Sequence, residues 1–259
     1  MKNNISILVV THNHIQHIGN LISSLEKFGF VNTYFCDAYS KDGTLEKLKS
    51  SSFNRNVLSK EILEGFSKNN NDLIRHFNLN SKYYLLLNPD TFFEVDFLDV
   101  LHKRMEADDS IGIVTPILKY PNGALQITWK KFPNPFLVLR KRTGLLKSKD
   151  EQQLKGPEID WCLGACMLIS NKFVKVNKTL LDERYRLYCE DIDICFEAHI
   201  RGMKVIGVSD TYIYHNLNET SAKNIFSKYN WWNISSIIKF IYKWNIKYMK
   251  KLYLSKRVS

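Results

Sequence analysis

Two short apolar runs do most to limit what this chain can fold into. Ile5-Ser6-Ile7-Leu8-Val9-Val10 is nearly continuous in aliphatic residues, and Tyr83-Tyr84-Leu85-Leu86-Leu87 has no polar interruption. A strand with one wet face alternates apolar and polar residues. A run without alternation, bounded by turn residues, is the pattern of a strand covered on both faces, as in parallel sheets. After the break at Thr11-His12-Asn13, residues Ile15, Ile18, Leu21, Ile22 and Leu25 recur at helical spacing. Residues 31–37 read as a second strand ending in Asp37. Ser40-Lys41-Asp42-Gly43-Thr44 reads as a turn and N-cap before a helical stretch at 45–48. Gly65-Phe66-Ser67-Lys68-Asn69-Asn70-Asn71 is a polar turn opening a helix near 73–77. The strand at 83–87 precedes an acidic turn, a helix around 97–105 and a strand at 111–116. This alternation predicts right-handed βαβ units and an α/β fold with an open, mostly parallel sheet flanked by helices. Such sheets bind ligands outside the carboxyl ends of their strands, where Thr11, Asp37 and Asp90 fall.

The later chain is less regular. Residues 119–156, with Pro121-Asn122-Gly123, Pro133-Asn134-Pro135 and Arg140-Lys141-Arg142, read as an irregular excursion. Residues 159–169 read as one strand with Gly164-Ala165 set in it. A helix is expected from Glu190 to about Arg201, stopped by Gly202, and then a strand at 205–208. There is no internal repeat and no low-complexity segment.

The 259 residues carry a net charge of +11, spread unevenly. No acidic residue follows Glu219, whereas nine basic ones do, from Lys223 to Arg257. The tail at 221–259 is therefore expected to be a basic, aromatic helical element with an acidic surface partner. Within it Ile234, Ile237, Ile238, Ile241, Asn245, Tyr248 and Leu252 follow a helical stripe, with Trp231, Trp232 and Trp244 nearby. Aromatics and lysines without acids suit an anionic membrane surface. The alternative is a basic amphipathic helix packed on the rest of the chain. RNA binding is remoter, because no RNA-recognition motif accompanies the charge. Residues 5–10 are too few for a secretory h-region, and no run is long enough to span a bilayer. Cys36, Cys162, Cys166, Cys189 and Cys195 form no CxxC pair and read as reduced, packed thiols of a cytoplasmic protein.

Two acidic signals carry the chemistry. Asn88-Pro89-Asp90 ends a buried strand, and Tyr188-Cys189-Glu190-Asp191-Ile192-Asp193 opens a helix. One acid at a strand end to hold a cation, and another to remove a proton, is what transfer of a nucleotide-activated group requires. Thr11-His12-Asn13-His14 lacks the Gly-rich phosphate signature of a nucleotidyltransferase. His12, His14 and His17 share no single helix face and read as loop or surface residues. Lys68 and Arg75 suit a solvated face better than a phosphate.

Taken in order, Val9 to Asn13, Asp37 to Thr44, Gly65-Phe66 with Asn70-Asn71, Leu87 to Asp90, Trp161 to Ala165, Tyr188 to Asp193 and Tyr214-His215 resemble the family-2 glycosyltransferases of GT-A fold. Among them the bacterial rhamnosyltransferases of O-antigen and cell-wall assembly are the most similar. The resemblance implies a GT-A domain over 1–220 and donor contacts from Thr11, Asn13, Asp37, Asn70, Asn88 and Asp90. It implies Mg²⁺ or Mn²⁺ held by Asp90 and His215, acceptor contacts from Trp161 and Glu190, and Asp191 as general base. For Asp37 the alternative is capping of the turn at 40–44, for His215 a packed side chain, and for Trp161 a core ring. Ala38 and Asn88 depart from the family's Asp-Asn and Asp-x-Asp patterns. The reaction implied is inverting transfer, most simply of L-rhamnose from dTDP-rhamnose, to a lipid-linked saccharide at the inner face of the membrane. A UDP-sugar transferase (GlcNAc, galactose or galactofuranose) and a non-catalytic nucleotide-sugar-binding subunit are the alternatives. No nucleic-acid partner is expected, and nothing bears on oligomeric state.

Overall fold

The computed structural model describes residues 4–134, 157–216 and 228–255. In chain order the elements are β1 (Ile5–Thr11), α1 (Ile15–Lys27), β2 (Thr33–Asp37), α2 (Thr44–Lys49), β3 (Val57–Ser59), α3 (Phe66–His76), β4 (Tyr83–Leu87) and β5 (Thr91–Phe92). They continue with α4 (Phe97–Glu106), β6 (Ile111–Lys119), β7 (Trp129–Lys130), β8 (Trp161–Cys162), β9 (Cys166–Ser170), α5 (Glu190–Ile200), β10 (Lys204–His215) and α6 (Lys228–Ser255).

One sheet organises the molecule, in the order β3-β2-β1-β4-β9-β6-β10-β5. β1, β2, β3 and β4 pair in parallel, as do β6 and β10. β9 is antiparallel between β4 and β6, and β5 is antiparallel on the edge of β10. β7 and β8 form a separate antiparallel ribbon. The unbroken apolar runs of β1 and β4 have the predicted cause. Ile5, Ile7 and Val9 face one core with Leu21 and Leu25 of α1 and Phe97 and Leu101 of α4. Leu8 and Val10 face the other with Leu73 and Ile74 of α3 and Ile194 and Ala198 of α5. Each such buried side chain contributes about 1.5–3 kcal/mol of transfer free energy.

Several sequence expectations are corrected. Residues 159–169 are not one strand: β8 and β9 lie in different sheets, separated by a turn at Leu163-Gly164-Ala165. The strand expected at 205–208 continues to His215 through a register shift between Val208 and Tyr212. α3 begins at Phe66, so the polar run belongs inside the helix, where Ser67, Asn69, Asn70 and Asn71 are all buried. Polarity alone suggested a turn, but the fold inserts these amides beneath neighbouring segments. Gly65 permits the approach: a Cβ there meets the Arg186 Cα at 2.8 Å, while the Phe66 N–H donates to the Arg186 carbonyl at 2.7 Å. Lys68 and Arg75 do lie on a partly solvated face, with side chains 40 % and 34 % exposed, but they are paired there. They join Lys60, Glu64, Asp72 and Glu183 in an ion-pair network. The basic run 140–142 lies outside the described residues.

α6 is broken at Asn245, whose φ is 36°. It packs on the domain through Phe240 and Tyr248, which join Phe132, Tyr185, Ile192 and Phe196 in a third core. The predicted stripe is therefore split, since Ile237 is 5 % exposed and Ile238 53 %. Trp231 and Tyr242 also face outward, at 61 % and 85 %. No described helix is long and apolar enough to cross a membrane.

Candidate active site

The carboxyl ends of β1, β2, β4 and β10 converge on one edge of the sheet, joined there by the turn that precedes β9. The loops from β1 and β2 are cross-tied. The Thr11 hydroxyl donates to Asp37 Oδ1 at 3.1 Å, and the Ser40 N–H donates to Oδ2 at 3.0 Å. Asn13, in a left-handed conformation (φ 57°), donates its N–H to Ser40 Oγ at 2.9 Å and accepts from the Lys41 N–H at 2.8 Å. Asp37 is 1 % exposed with both oxygens engaged, so it braces the turn at 40–44. Asp42 then accepts from the Ile15 N–H at 3.0 Å and from Thr44, tying together the starts of α1 and α2. His12 contacts the Ala38 carbonyl at 2.8 Å. Contrary to the surface expectation, burial lowers the affinity of His14 for a proton, and the nearby Asp90 charge opposes that shift.

Asn88-Pro89-Asp90 turns directly out of β4. The turn is held by the Asn88 N–H to the Ala165 carbonyl (2.9 Å), and the Asn216 N–H donates to the Asp90 carbonyl (2.9 Å). Asp90 Oδ1 is buried without a hydrogen-bond partner and lies 3.4 Å from His215 Nε2. The orientation of that ring follows from Gln126. Its Nε2 donates to the His215 carbonyl at 2.7 Å, which leaves its Oε1, 2.9 Å from His215 Nδ1, able only to accept. A ring proton therefore sits on Nδ1, and Nε2 faces Asp90 Oδ1 and the Asn88 amide at 3.5 Å. A carboxylate oxygen beside an imidazole nitrogen that offers a lone pair in the neutral ring fits a divalent cation. Among the described residues no three His, Cys, Asp or Glu side chains converge. A cation at Asp90 and His215 would thus complete its shell with oxygens from a phosphate ligand.

The second acidic signal begins α5. Tyr188 and Cys189 both have positive φ, 68° and 70°, a sharp entry that residues with side chains adopt only when their surroundings enforce it. Asp191 Oδ2 accepts the Gly164 N–H at 3.3 Å, and Oδ1 accepts the Ile192 N–H at 2.8 Å. Its proton affinity is raised by burial, against the pull of those N–H groups and of Lys130. Glu190 Oε2 is buried without a partner, and burial together with the Asp191 charge pushes its carboxyl up to about 8. Two adjacent residues link the acids: Ala165 holds the Asn88 turn and Gly164 holds Asp191.

Trp161 is half-buried. Its Nε1 donates to the Lys131 carbonyl at 3.0 Å and the Lys130 ammonium stands 5.4 Å from its ring centre. Asn70 Nδ2 donates to the Phe66 carbonyl within α3 at 3.0 Å, while its Oδ1, Ser67 Oγ and both amide atoms of Asn69 have no partner among the described residues. Asp193 does not join Glu190 and Asp191. It is 2 % exposed and turned to α6, bonded by Lys243, Trp244 and Tyr185. Sequence reasoning passed over Gln126 and Lys130, and it named Asn71 in a motif without giving it a role. Asn71 ties α3 to the Leu180-Leu181 backbone and to Glu183. The only signal for Gln126 was one polar residue between Leu125 and Ile127 in a segment read as irregular.

The sequence model described as Glycosyl transferase family 2 matches residues 6–176. A curated relative, Rhamnosyltransferase WbbL of Escherichia coli (strain K12), is 26 % identical over 250 residues, 91 % of each chain. GalNAc-T7, solved with UDP, GalNAc and Mn²⁺, superposes with a TM-score of 0.66 at 15 % identity, over 98 % of this chain and 50 % of that one. TarS 1-349 of S. aureus gives 0.57 at 17 % identity, over 82 % and 60 %. A mannosyltransferase from Pyrobaculum calidifontis, solved with GDP-Man and Mn²⁺, gives 0.55 at 13 %, over 84 % and 58 %. The chain thus spans between half and three fifths of these solved chains. The shared architecture is the GT-A fold.

Proposed function

The chain belongs to glycosyl transferase family 2, and on that premise we propose that it is an inverting, metal-dependent transferase acting on a nucleoside diphosphate sugar. One observation carries the reading. Asp90 Oδ1, without a hydrogen-bond partner, stands 3.4 Å from His215 Nε2, and the Asn88 turn that carries Asp90 is linked through the Ala165-Gly164 backbone to Asp191. Asp90 and His215 would hold a divalent ion, which would supply charge neutralisation for the departing diphosphate. The unbonded amides at the start of α3 offer donors and acceptors to the nucleotide, and Thr11, Asn13, Asp37 and Asn88 shape the walls on which it rests. Asp191 takes the proton of the acceptor hydroxyl as the new C–O bond forms at the anomeric carbon and the bond to the diphosphate breaks on the opposite face. Glu190, protonated up to about pH 8, donates a hydrogen bond to an acceptor oxygen, and Trp161 borders the same side.

The donor proposed is dTDP-L-rhamnose, supported by the rhamnosyltransferase relative, and the acceptor is a lipid-linked saccharide. The outward face of α6, with Trp231, Ile238 and Tyr242 exposed, supports docking on an anionic cytoplasmic leaflet in a tail without acids after Glu219. Calorimetric titration with dTDP, UDP and GDP, with and without Mn²⁺, tests the donor site. Mn²⁺-dependent binding of dTDP that is lost in Asp90→Ala supports the reading. UDP binding instead moves the donor to a UDP-sugar, and no binding of any of them overturns the transferase site.

A further inference from the structure

α6 lies outside the segment matched by the family model, yet between Trp232 and Trp244 each successive turn touches the segment that carries the acidic pair. The Trp232 ring lies under the Arg186 guanidinium at 4.5 Å, and Ser236 Oγ donates to the Leu187 carbonyl at 2.9 Å. Lys239 Nζ donates to the Arg184 carbonyl at 2.9 Å. Lys243 Nζ bridges Asp182 Oδ2 at 2.8 Å and Asp193 Oδ2 at 2.6 Å. Trp232, Ser236, Lys239 and Lys243 are spaced four, three and four residues apart, which is one face of a helix. Trp244 Nε1 adds a bond to Asp193 Oδ1 at 2.6 Å, and the Tyr185 hydroxyl donates to the same oxygen at 2.9 Å.

We propose that α6 is a clamp that positions the catalytic end of α5, with Lys243 and Trp244 as its positioning residues. This rests on the reading of Asp191 as general base. Asp191 and Asp193 are two residues apart, so on a helix their side chains leave in nearly opposite directions. Asp191 points to Gly164 and Asp193 to α6. Grip on Asp193 therefore sets the roll of the first turn of α5, and with it the place of Asp191. Lys243 holds Asp182 and Asp193, which bracket the loop containing the left-handed residues Tyr188 and Cys189. That conformation is costly in isolation and needs such bracing.

The test uses the full chain with Lys243→Met, which keeps the stem and loses the ammonium, and Trp244→Phe, which keeps a ring and loses the N–H. Turnover is read as nucleoside diphosphate released from dTDP-rhamnose, UDP-GlcNAc or UDP-galactose, whichever the enzyme accepts. Donor affinity is read by calorimetry with dTDP and UDP in Mn²⁺, and amide hydrogen exchange is followed across 182–200. The expected result is a fall in kcat of at least about tenfold with donor affinity within about twofold of the parent. Exchange should quicken at 188–193 and not in β1 or β4, and Lys243→Arg should recover most of the rate. Unchanged kcat in both variants overturns the clamp, as does donor affinity that falls in step with kcat. Asp191→Asn run alongside separates the two readings. Retained turnover there removes Asp191 as base, whereas an inactive Asp191→Asn beside a fully active Lys243→Met removes the clamp alone.

Discussion

His215 Nε2 stands 3.4 Å from Asp90 Oδ1, on a ring whose other nitrogen, Nδ1, holds its proton toward Gln126 Oε1. In the neutral ring, Nε2 and the carboxylate both turn lone pairs to the same space, an arrangement that suits a cation.

Gln126→Leu should release that tautomer. Mn²⁺-dependent binding of the nucleoside diphosphate is expected to weaken by about 10–100-fold, the usual effect of losing a hydrogen-bond partner behind a metal ligand. Calorimetry at several Mn²⁺ concentrations checks it. An unchanged Mn²⁺ dependence would remove Gln126 from the site.

Asp90→Ala separates binding from stability. The variant should lose Mn²⁺-dependent nucleotide binding, yet unfold at the same urea concentration as the parent or up to about 1 kcal/mol higher, because the carboxylate it removes has a buried, unpaired oxygen. A large loss of stability would show that Asp90 has a structural partner.

The raised affinity of Glu190 for a proton makes stability depend on pH. A carboxyl whose folded pKa lies above its unfolded value favours the fold while protonated, so this contribution is complete below about pH 4.5 and lost as pH rises toward about 8. Urea unfolding from pH 5 to 8.5 should show a decline, and Glu190→Gln should flatten part of it. A parallel decline in the variant would place the effect elsewhere.

Gly207→Ala probes packing beneath the site. An added Cβ meets the Trp129 ring at 2.7 Å, and Trp129 follows the segment that carries Gln126. Overpacking there should cost about 1–3 kcal/mol. Weaker Mn²⁺-dependent binding should accompany it if the shift reaches Gln126. Both are read by urea unfolding and calorimetry.

Membrane docking predicts that the protein sediments with phosphatidylglycerol vesicles and not with phosphatidylcholine vesicles, and less so as salt rises. Trp231→Ser with Tyr242→Ser should reduce sedimentation several-fold without changing nucleotide binding, since both side chains face away from the domain. Equal partition of parent and variant would rule out that face.

Local patterns reported well where cause and effect are neighbours. The unbroken apolar runs gave β1 and β4 because each side chain meets a core on one face of the sheet or the other, and Gly202 ended α5 through its positive φ. The acids at 90 and 191 stood out because each follows a sharp change of pattern. Asn69, Asn70 and Asn71 were misread as a turn because polar residues announce solvent, whereas here a close approach at Gly65 buries them.

The sequence by itself determined the α/β order, the strand ends on which the acids sit, and a tail whose charge is all of one sign. Only the tertiary structure decided that Gln126 orients His215, that one turn at Gly164-Ala165 joins Asn88 to Asp191, and that Asp193 belongs to Lys243 rather than to its neighbours. The reason is range. Periodicity and capping act within a few residues, while a hydrogen bond between distant residues depends on which strands pair and how each helix is rolled, and no local pattern records that.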